Sequence, residues 1–470
     1  MTFSSPIFLF IFFPLVFLCY FLIPAKMLRV RNALLTAASL IFYGFGEPVA
    51  MLLMLGVVLW SWGTALLLQK NEICRRIFLP LGIIGDLGVL CVYKYSDFLI
   101  GTVNGCLGTS IPLLNLRLPI GISFFVFQAI SYIMDVSRKD AQAQRNYFRL
   151  LLYISFFPQL IAGPIVRYQT VADALSQRSS TPEQVASGLR RMICGLGKKL
   201  LLADTVGQIA DAVFGMTDTL ALPTAWLGAI CYTLQIYYDF SAYSDMAIGM
   251  GRIFGFEFPE NFRYPYCSAS ITEFWRRWHI SLTTWFREYL YIPLGGNRKG
   301  ARKTVRNKWI VFLCTGLWHG ASWNFVIWGA LNGALMHIEQ IVRRGKKEPA
   351  RRTWYLHLYT MFAVVCAFVI FRADTLPQAL RFYVSMFSGR NLSMTALSAC
   401  TQLLSPLAVT ALILAVIGAT PLPKRIADKA MARAAGTTET VLSVLAIGLL
   451  ILCMMNAAAT TYHPFIYFRF

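Results

Sequence analysis

The chain of 470 residues is apolar and basic, with 57% hydrophobic residues, 14% charged residues and a formal net charge of +21. Soluble domains carry about 25% charged residues, so this composition excludes a soluble protein of this length. The basic residues lie in short loops between apolar segments instead of on one continuous face, which argues against nucleic-acid binding and leaves membrane lipid as their main partner.

Apolar segments recur along nearly the whole chain. A hydrocarbon core of about 30 Å is crossed by roughly 17 to 25 apolar residues, and about ten to twelve transmembrane or re-entrant helices fit. We therefore predict an all-α, polytopic integral membrane protein whose helices surround a central cavity. Because no loop is long enough for a soluble domain and no internal repeat is visible, we predict a single membrane domain over residues 1–470, with its motif-bearing core at about 119–340.

The N-terminal apolar run, Pro6 to Leu22, follows no basic region and precedes no small-residue cleavage site. These features predict a retained first span instead of a cleaved signal sequence. Lys26, Arg29 and Arg31 come directly after it, so the positive-inside rule places that loop in the cytoplasm and the N-terminus outside. The remainder of residues 1 to 110 has the composition of plain spans.

A mixed basic and apolar run extends from Val185 to Leu202. It carries Arg190, Arg191, Lys198 and Lys199 among leucine, isoleucine and glycine. This mixture predicts an interfacial amphipathic helix and not a span.

Two carboxylates, Asp239 and Asp245, interrupt the apolar run from Leu222 to Met250. In a membrane helix such groups normally face the bundle interior and pair with another group. Helical spacing places Gln235, Asp239 and Tyr243 on one face and Asp245 on another. Pairing with a neighbouring helix is the favoured interpretation, and Asp239 and Tyr243 are also candidates for substrate contact.

Residues 271–298 mix tryptophan and tyrosine with arginine and glutamate, so this segment cannot cross lipid directly. Glu273 and Arg277 have the spacing of a helical ion pair. One interpretation is an interfacial helix with an aromatic belt. Because His279 lies among the tryptophans, a functional site is the alternative interpretation. Its candidate substrate contacts are Trp275, Arg276 and Trp278.

His319 lies within the apolar stretch 309–341, in the sequence GLWHGASWN. A side chain that titrates near neutral pH is costly in hydrocarbon, so this histidine indicates a functional site. Gly316, Gly320 and Asn324 beside it predict an opened backbone and a cavity, with Asn324 as a candidate contact. A neutral imidazole can take a proton from a hydroxyl that attacks a carbonyl, and no G-x-S-x-G nucleophile motif is present, so direct transfer is the simpler chemistry.

Basic clusters flank that stretch, at 298–308 and 343–352. If both are cytoplasmic, the chain must enter the membrane and return, yet two full crossings need about 40 apolar residues. A re-entrant hairpin, or two short broken helices, would satisfy both conditions. We predict the turn near Gly316 to Asn324.

The eleven cysteines are scattered without a C-x-x-C pair, which argues against a disulfide framework or a zinc site. No H-E-x-x-H or similar spacing predicts another metal. We expect His337 and His357 to be interfacial and His463 to be structural.

Four segments carry a resemblance to a known family: YDFSAYSDMAIGMGRIFGFEFPENFRYPY (238–266), EFWRRWHISLTTWFREYLYIPLGGNRKG (273–300), GLWHGASWNFVIWGALNG (316–333) and the terminal HPFIYFRF. Together they resemble the membrane-bound O-acyltransferase family, in its bacterial branch of alginate O-acetyltransferase-like proteins. The resemblance implies that His319 is the catalytic histidine and that His279 occupies the family's second motif position.

The resemblance also implies the reaction. An acetyl group would pass from a cytosolic thioester, such as acetyl-CoA, to a hydroxyl of a cell-envelope or extracellular polysaccharide, directly or through an extracytoplasmic SGNH-type partner. It implies a multi-pass protein of the bacterial inner membrane with no bound cofactor.

Two other functions stay open. D-Alanyl transfer to teichoic acid belongs to the same family, although its FWxRWH region is not usually followed by YIPLGGNR. A transporter would use Asp135, Asp239 and Asp245 as coupling residues, but transporters often have paired repeats, and the break around His319 has no second copy.

Overall fold

The computed structural model describes residues 1–216, 220–343, 353–389, 392–459 and 464–466. Every regular element in these ranges is a helix, which confirms the all-α prediction. The chain divides into two compact units, one formed by Met1–Met192 with Ser244–Glu260 and the other by Ile193–Tyr243 with Asn261–Phe470. The single-domain prediction stays a prediction.

The first unit contains eight complete helices and begins with a π-helical turn, Phe8–Phe12. The helices are α1 (Phe13–Leu22), α2 (Leu28–Gly44), α3 (Pro48–Leu68), α4 (Glu72–Leu107), α5 (Ile122–Arg138), α6 (Tyr147–Ser155), α7 (Phe157–Leu160) and α8 (Tyr168–Val171). The first part of α9 (Pro182–Gly197) also belongs to this unit.

The second unit begins within α9 and continues through a π-helical turn, Lys198–Ala203. Its helices are α10 (Asp204–Phe214), α11 (Leu222–Ile253, whose last ten residues belong to the first unit), α12 (Ile271–Arg277), α13 (Ile280–Phe286), α14 (Ala301–His319), α15 (Trp323–Arg343), α16 (Trp354–Arg372), α17 (Leu376–Ser388), α18 (Met394–Gln402), α19 (Pro406–Gly418), α20 (Leu422–Arg433) and α21 (Ala435–Ala459). A π-helical turn, Arg287–Tyr291, extends α13.

Five described helices, α3, α4, α15, α16 and α21, are individually long and apolar enough to cross a membrane. Helices α18 and α19, bent by 77° at a short break, qualify together as a sixth span. The polytopic membrane class is thereby confirmed, whereas the count of ten to twelve spans stays a prediction. The N-terminal run forms a shorter apolar helix, Phe8–Leu22.

The N-terminal helices α3 and α4 share a buried polar contact that their apolar composition does not predict. Asp86 on α4 is only 1% exposed and accepts a hydrogen bond from Ser61 Oγ on α3 at 3.2 Å. The two helices approach closely beside this pair, since a Cβ on Gly82 would lie 2.6 Å from the Thr64 methyl group. A buried acid inside a span is stabilised by such a hydrogen bond from a neighbouring helix.

Asp245 has the ion pair predicted for it. Within the first unit, Arg191 of α9 approaches Asp245 at 2.8 Å and Glu260 at 2.6 Å. The guanidinium presents several donors in one plane and can therefore serve two carboxylates together.

The predicted interfacial helix over Val185 to Leu202 is wrong at its C-terminal end. The chain there enters the π-helical turn, and Lys199 is 1% exposed, with Nζ at 2.7 Å from both Asp204 and Asp239. Two carboxylates on neighbouring helical segments draw this cation inward, whereas an interfacial lysine extends its ammonium group into water.

A helical hairpin has its turn at the predicted place beside His319, whereas its re-entrant course in the membrane stays a prediction. Helix α14 ends at His319, and α15 begins at Trp323 and packs against it. A Cβ on Gly316 would lie 2.2 Å from Phe325 O, and one on Gly329 would lie 2.4 Å from Phe312 O, so the backbones touch at these glycines. At the other end of the pair, Lys308 Nζ donates to Gln340 Oε1 at 2.8 Å.

The two helices of this hairpin are not short. They contain 19 and 21 residues because α14 begins among the basic residues, before the apolar stretch starts. The membrane face on which each basic cluster lies stays a prediction.

Candidate active site

His319, the last residue of α14, is 4% exposed and enclosed by aromatic rings. Trp318, Trp328 and Phe371 meet the imidazole edge-on, with centroid separations of 5.0, 5.2 and 5.0 Å. Edge-to-face contacts of this kind fix ring orientation. The imidazole therefore lies in an oriented, apolar enclosure at the end of a helix.

His279 lies between α12 and α13 and is 1% exposed. Its backbone has φ 44°, a left-handed conformation that a residue with a side chain adopts only where its surroundings require it. The imidazole packs against Phe240 at 4.6 Å and Trp318 at 5.8 Å between centroids. Because Trp318 also contacts His319, one indole joins the two histidines.

Asn261 determines the orientation of His279. Its Oδ1 lies 3.2 Å from His279 Nδ1 and accepts from the backbone N–H of Ser281 at 3.2 Å and from Ser281 Oγ at 2.9 Å. Since a backbone N–H can only donate, the shared atom is an oxygen, and His279 Nδ1 must carry a proton to bond with it. His279 Nε2 then holds the lone pair.

The pKa of His279 is held well below its ordinary value, first by burial and then by repulsion from nearby His319. Both causes disfavour the imidazolium. His279 is therefore neutral at physiological pH, the form in which an imidazole accepts a proton.

Trp275 and Trp278, the candidate substrate contacts in residues 271–298, are buried, so the interpretation as an interfacial aromatic belt is wrong for them. Trp275 packs against Phe312 at 5.5 Å and Trp328 at 5.7 Å, and Trp278 packs against Phe368 at 5.4 Å. In contrast, Arg276 points outward and is exposed. Among the described residues, no group accepts a hydrogen bond from the buried indole N–H of Trp275 or Trp328.

The N-terminus of α12 is fixed by a carboxylate from α15. Glu339 accepts from the backbone N–H of Ile271 at 2.6 Å and from the Thr272 backbone and hydroxyl at 3.3 and 3.2 Å. Ser270 caps the same turn by accepting from Glu273 N at 3.0 Å. A carboxylate at a helix N-terminus satisfies free N–H groups and complements the helix dipole. Glu339 thus ties the His319 hairpin to the segment that carries His279.

Asn324 lies near His319 in a connecting role. Its Nδ2 donates to the Ala373 carbonyl at 2.6 Å, joining the start of α15 to the end of α16. The bond holds the chain two residues beyond Phe371, which packs on His319.

Asp239 and Tyr243 lie on one face of α11, and that face meets the C-terminal segment. Asp239 accepts from Lys199 Nζ and from the backbone N–H of Ile466, each at 2.7 Å, while Tyr243 packs against Phe465 at 5.2 Å. Their contacts in the described part of the chain thus support pairing between elements.

Asn261 and Glu339 were absent from the sequence-predicted site. Asn261 lies in the polar segment FPENFRYPY, and Glu339 is an acid inside an apolar helix. Neither signal identifies a partner that is distant in sequence.

The remaining histidines lie elsewhere. His357 Nδ1 is 3.0 Å from the Ser268 carbonyl, His337 is half-buried on α15, and His463 lies outside the described residues. The eleven cysteines are free thiols. In the described ranges, no three His, Cys, Asp or Glu side chains are grouped to hold a metal ion.

Residues 120–376, which contain both buried histidines, match the model of the membrane-bound O-acyltransferase family. The chain belongs to this family. A protein of Pseudomonas putida named probable alginate O-acetylase AlgI is 39% identical to the chain over 498 aligned positions, covering 100% of both sequences. A peptidoglycan O-acetyltransferase of Helicobacter pylori is 35% identical over 437 positions, covering 85% of this chain and 82% of the relative.

A teichoic acid D-alanyltransferase of Bacillus subtilis is 29% identical over 279 positions, covering 55% of this chain and 69% of the relative. This lower similarity over a shorter length favours O-acetyl transfer over D-alanyl transfer. The chain is accordingly a membrane-bound O-acyltransferase of the O-acetylating type.

Proposed function

We propose that this membrane enzyme transfers an acetyl group from acetyl-CoA to a hydroxyl of a cell-envelope or extracellular polysaccharide, with His319 as general base. The relatives' names, alginate O-acetylase and peptidoglycan O-acetyltransferase, support a polysaccharide acceptor. The observation that carries the role of His319 is its aromatic enclosure at the end of α14, joined through Trp318 to His279.

The proposed reaction is a direct transfer. The acceptor oxygen attacks the thioester carbonyl carbon while His319 takes the hydroxyl proton, and the C–S bond then breaks. The proton passes to the leaving thiolate, which gives the ester and free CoA. General acid–base catalysis of this kind contributes about 10²- to 10⁴-fold to the rate.

Negative charge develops on the carbonyl oxygen during the attack. Trp328 packs against His319, and its buried indole N–H has no acceptor among the described residues. We assign this N–H to the oxyanion, because a preorganised donor in a water-poor site stabilises the transition state. Trp275, whose indole N–H is also buried, packs against Trp328 and supports its position.

His279 is assigned a supporting role. Its neutral imidazole, oriented by Asn261, contacts Trp318, the same indole that packs against His319. It orients the acceptor hydroxyl or assists its deprotonation, so its loss is expected to have a smaller effect than the loss of His319.

The bacterial inner membrane is the proposed location. There the acetyl group reaches the exterior, either directly on the polysaccharide hydroxyl or through an SGNH-type partner that completes the transfer to the glycan. Acetyl-CoA enters as a substrate, and no bound cofactor takes part in the proposed reaction.

The decisive experiment supplies labelled acetyl-CoA to purified protein in vesicles and identifies the acetylated product. His319→Gln is expected to reach the membrane at normal levels and lose transfer by about 10²-fold or more. Trp328→Phe keeps the ring but removes the donor, and should lower kcat by about tenfold or more with little change in KM. His279→Ala should be milder than His319→Gln.

Normal transfer by correctly folded His319→Gln would reject the catalytic assignment. Full single-turnover transfer by His279→Ala would remove His279 from the site. A wild-type protein that moves label into no hydroxyl acceptor would reject acetyl transfer itself.

A further inference from the structure

Helix α20 belongs to the second unit and lies outside the histidine site. It contains 12 residues, and none of them is buried. It connects two membrane segments, because it follows α19, which qualifies as a span together with α18, and precedes the span α21. Charged side chains are costly in hydrocarbon, so a basic helix between two spans is placed at a membrane surface.

The two helices next to α20 expose apolar side chains along their length. Ile413, Leu414 and Val416 of α19 are exposed, as are Val444 and Leu445 of α21. Only 11% of the apolar window of α21 is buried inside the protein. On membrane spans such side chains contact lipid, so lipid adjoins α20 on the sides of both neighbours.

The side chains of α20 divide into an apolar face and a basic face. Leu422 and Ile426 lie one turn apart and are 51% and 60% exposed, and Ala430 follows at the same spacing. The other face and the C-terminal end carry four exposed basic side chains, Lys424, Arg425, Lys429 and Arg433. A helix with these two faces lies in the plane of the interface, with its apolar face toward the acyl chains.

The charge of α20 favours an anionic lipid. The helix carries four basic residues and one acid, Asp428, and among the described residues none of the four forms an ion pair. Anionic headgroups lie at the depth of an interfacial helix and attract each nearby lysine or arginine. A stable protein interface would cover roughly 800 Å² on each partner, whereas α20 offers one face of a short helix beside lipid.

Helix α19 is held to the core of the second unit by small residues. Its buried edge is formed by alanines, Ala408, Ala411, Ala415 and Ala419. Tyr238 of α11 donates to the Ala415 carbonyl at 2.6 Å, and a Cβ on Gly418 would lie 2.8 Å from Tyr238 Oη. Alanine side chains bury little apolar area, so this edge alone contributes little free energy. Because α19 ends three residues before α20 begins, fixing α20 at the surface also restrains α19.

We propose that α20 binds anionic phospholipid at the membrane surface and thereby holds α19 against α11. The negatively charged headgroups contact the basic face, and the acyl chains cover Leu422 and Ile426. The inference goes beyond the proposed acetyl transfer and does not depend on it.

The test of the lipid site uses full-length protein in phosphatidylcholine nanodiscs that contain a trace of photoactivatable phosphatidylglycerol. Label should appear on residues 420–434, and a phosphatidylcholine with the same reactive group should label them about tenfold less. The glutamine variant, Lys424→Gln/Arg425→Gln/Lys429→Gln/Arg433→Gln, should take up about tenfold less phosphatidylglycerol label there. The matched control, Lys424→Arg/Arg425→Lys/Lys429→Arg/Arg433→Lys, keeps every charge and should be labelled as the wild type is.

A second measurement tests the restraint on α19. In detergent without added lipid, the glutamine variant and the wild type should unfold at the same temperature. Added phosphatidylglycerol should raise the unfolding temperature of the wild type by about 2 °C more than that of the glutamine variant. Tyr238→Phe removes the bond to Ala415, so it should keep the label on α20 but lose this additional rise.

Equal labelling of the glutamine variant and the wild type, or equal labelling of α20 by the two lipids, would overturn the lipid site. Unlabelled phosphatidylglycerol should displace the label. Displacement by inorganic phosphate or by polyglutamate, at the same concentration of negative charge, would identify a free anion or an acidic protein as the ligand and reject the lipid. An equal rise in unfolding temperature for the glutamine variant and the wild type would reject the restraint on α19.

Discussion

Asn261 controls the protonation of His279 through one oxygen. That oxygen receives His279 Nδ1–H and the two donors of Ser281, while the Asn261 carbonyl accepts from Ile280 N at 2.9 Å. The side chain and the backbone of Asn261 thus fix the turn that presents His279. The φ of 44° at His279 is maintained by these bonds.

Asn261→Asp is expected to shift the pH dependence of transfer. Burial holds the pKa of His279 below its ordinary value, and a carboxylate at Nδ1 would stabilise the imidazolium and raise that pKa. The neutral imidazole is the form that accepts a proton. On acidification, the variant should therefore lose activity at a higher pH than the wild type does. The acid limb of the kcat/KM profile should move upward by about one pH unit or more.

Ser281→Ala is the control for this substitution, since it removes a donor to the same oxygen without adding charge. Its acid limb should coincide with that of the wild type. An unmoved limb in Asn261→Asp would mean that His279 protonation does not govern transfer.

The residue types in the sequence single out the two buried histidines but do not identify the residues that surround them. Both histidines could be selected because a titratable group among tryptophans is costly without a function. Asp239 and Tyr243 are likewise polar residues inside an apolar run, yet they contact the C-terminal segment. Helical spacing identifies the face on which a residue lies and does not identify what that face meets.

At the scale of elements, the hairpin of α14 and α15 determines where His319 lies. The crossing point is set by Gly316 and Gly329, whose Cα atoms leave space for the opposing backbone. Small residues at a membrane helix interface permit this approach. Gly316 is also in the last turn of α14, three residues before His319.

Gly316→Ala should therefore separate the helices and displace His319. The added Cβ would lie 2.2 Å from Phe325 O, a backbone atom that cannot rotate away. Overpacking of this kind costs about 1 to 3 kcal/mol, so we expect a lower unfolding temperature together with a lower transfer rate. Thermal unfolding in detergent and the vesicle assay measure the two effects.

Gly448→Ala provides a comparison within another apolar helix, because a Cβ there meets no atom within 4 Å. This variant should unfold and react as the wild type does. Wild-type behaviour in Gly316→Ala as well would contradict the close crossing.

The turn of the hairpin could be predicted from Gly316, Gly320 and Asn324 between two basic clusters, whereas the count of apolar residues missed that α14 begins among the basic residues. The break between α12 and α13 could not be predicted in this way. The segment FWRRWHISLTTW has helical spacing on both sides of His279, and the break is held by Asn261, 18 residues earlier. Local pattern describes each short helix, whereas a residue distant in sequence holds the break between them.

At the scale of the whole molecule, the basic excess has two roles. Most lysines and arginines lie at helix ends and in loops, where they favour the cytoplasmic face and anionic lipid. Lys199 is different, because its ammonium group is buried between Asp204 and Asp239 and also donates to the Pro464 carbonyl at 3.2 Å. Composition counts these cations equally, and only the tertiary structure separates them.

Lys199 joins the π-helical turn, α10, α11 and the C-terminal segment, so its removal should weaken the second unit as a whole. Lys199→Met keeps much of the side-chain volume but leaves two buried carboxylates without their cation. Breaking a buried ion pair in this way costs about 3 to 5 kcal/mol. We expect a clear fall in the unfolding temperature in detergent, whereas Lys424→Met, at an exposed position of α20, should have little effect.

The unfolding temperature of Asp239→Asn should lie between those of Lys199→Met and Lys424→Met, because the amide oxygen still accepts from Ile466 N–H and Asp204 still pairs with Lys199. Equal unfolding temperatures for Lys199→Met and Lys424→Met would show that the buried cation does not hold these elements together.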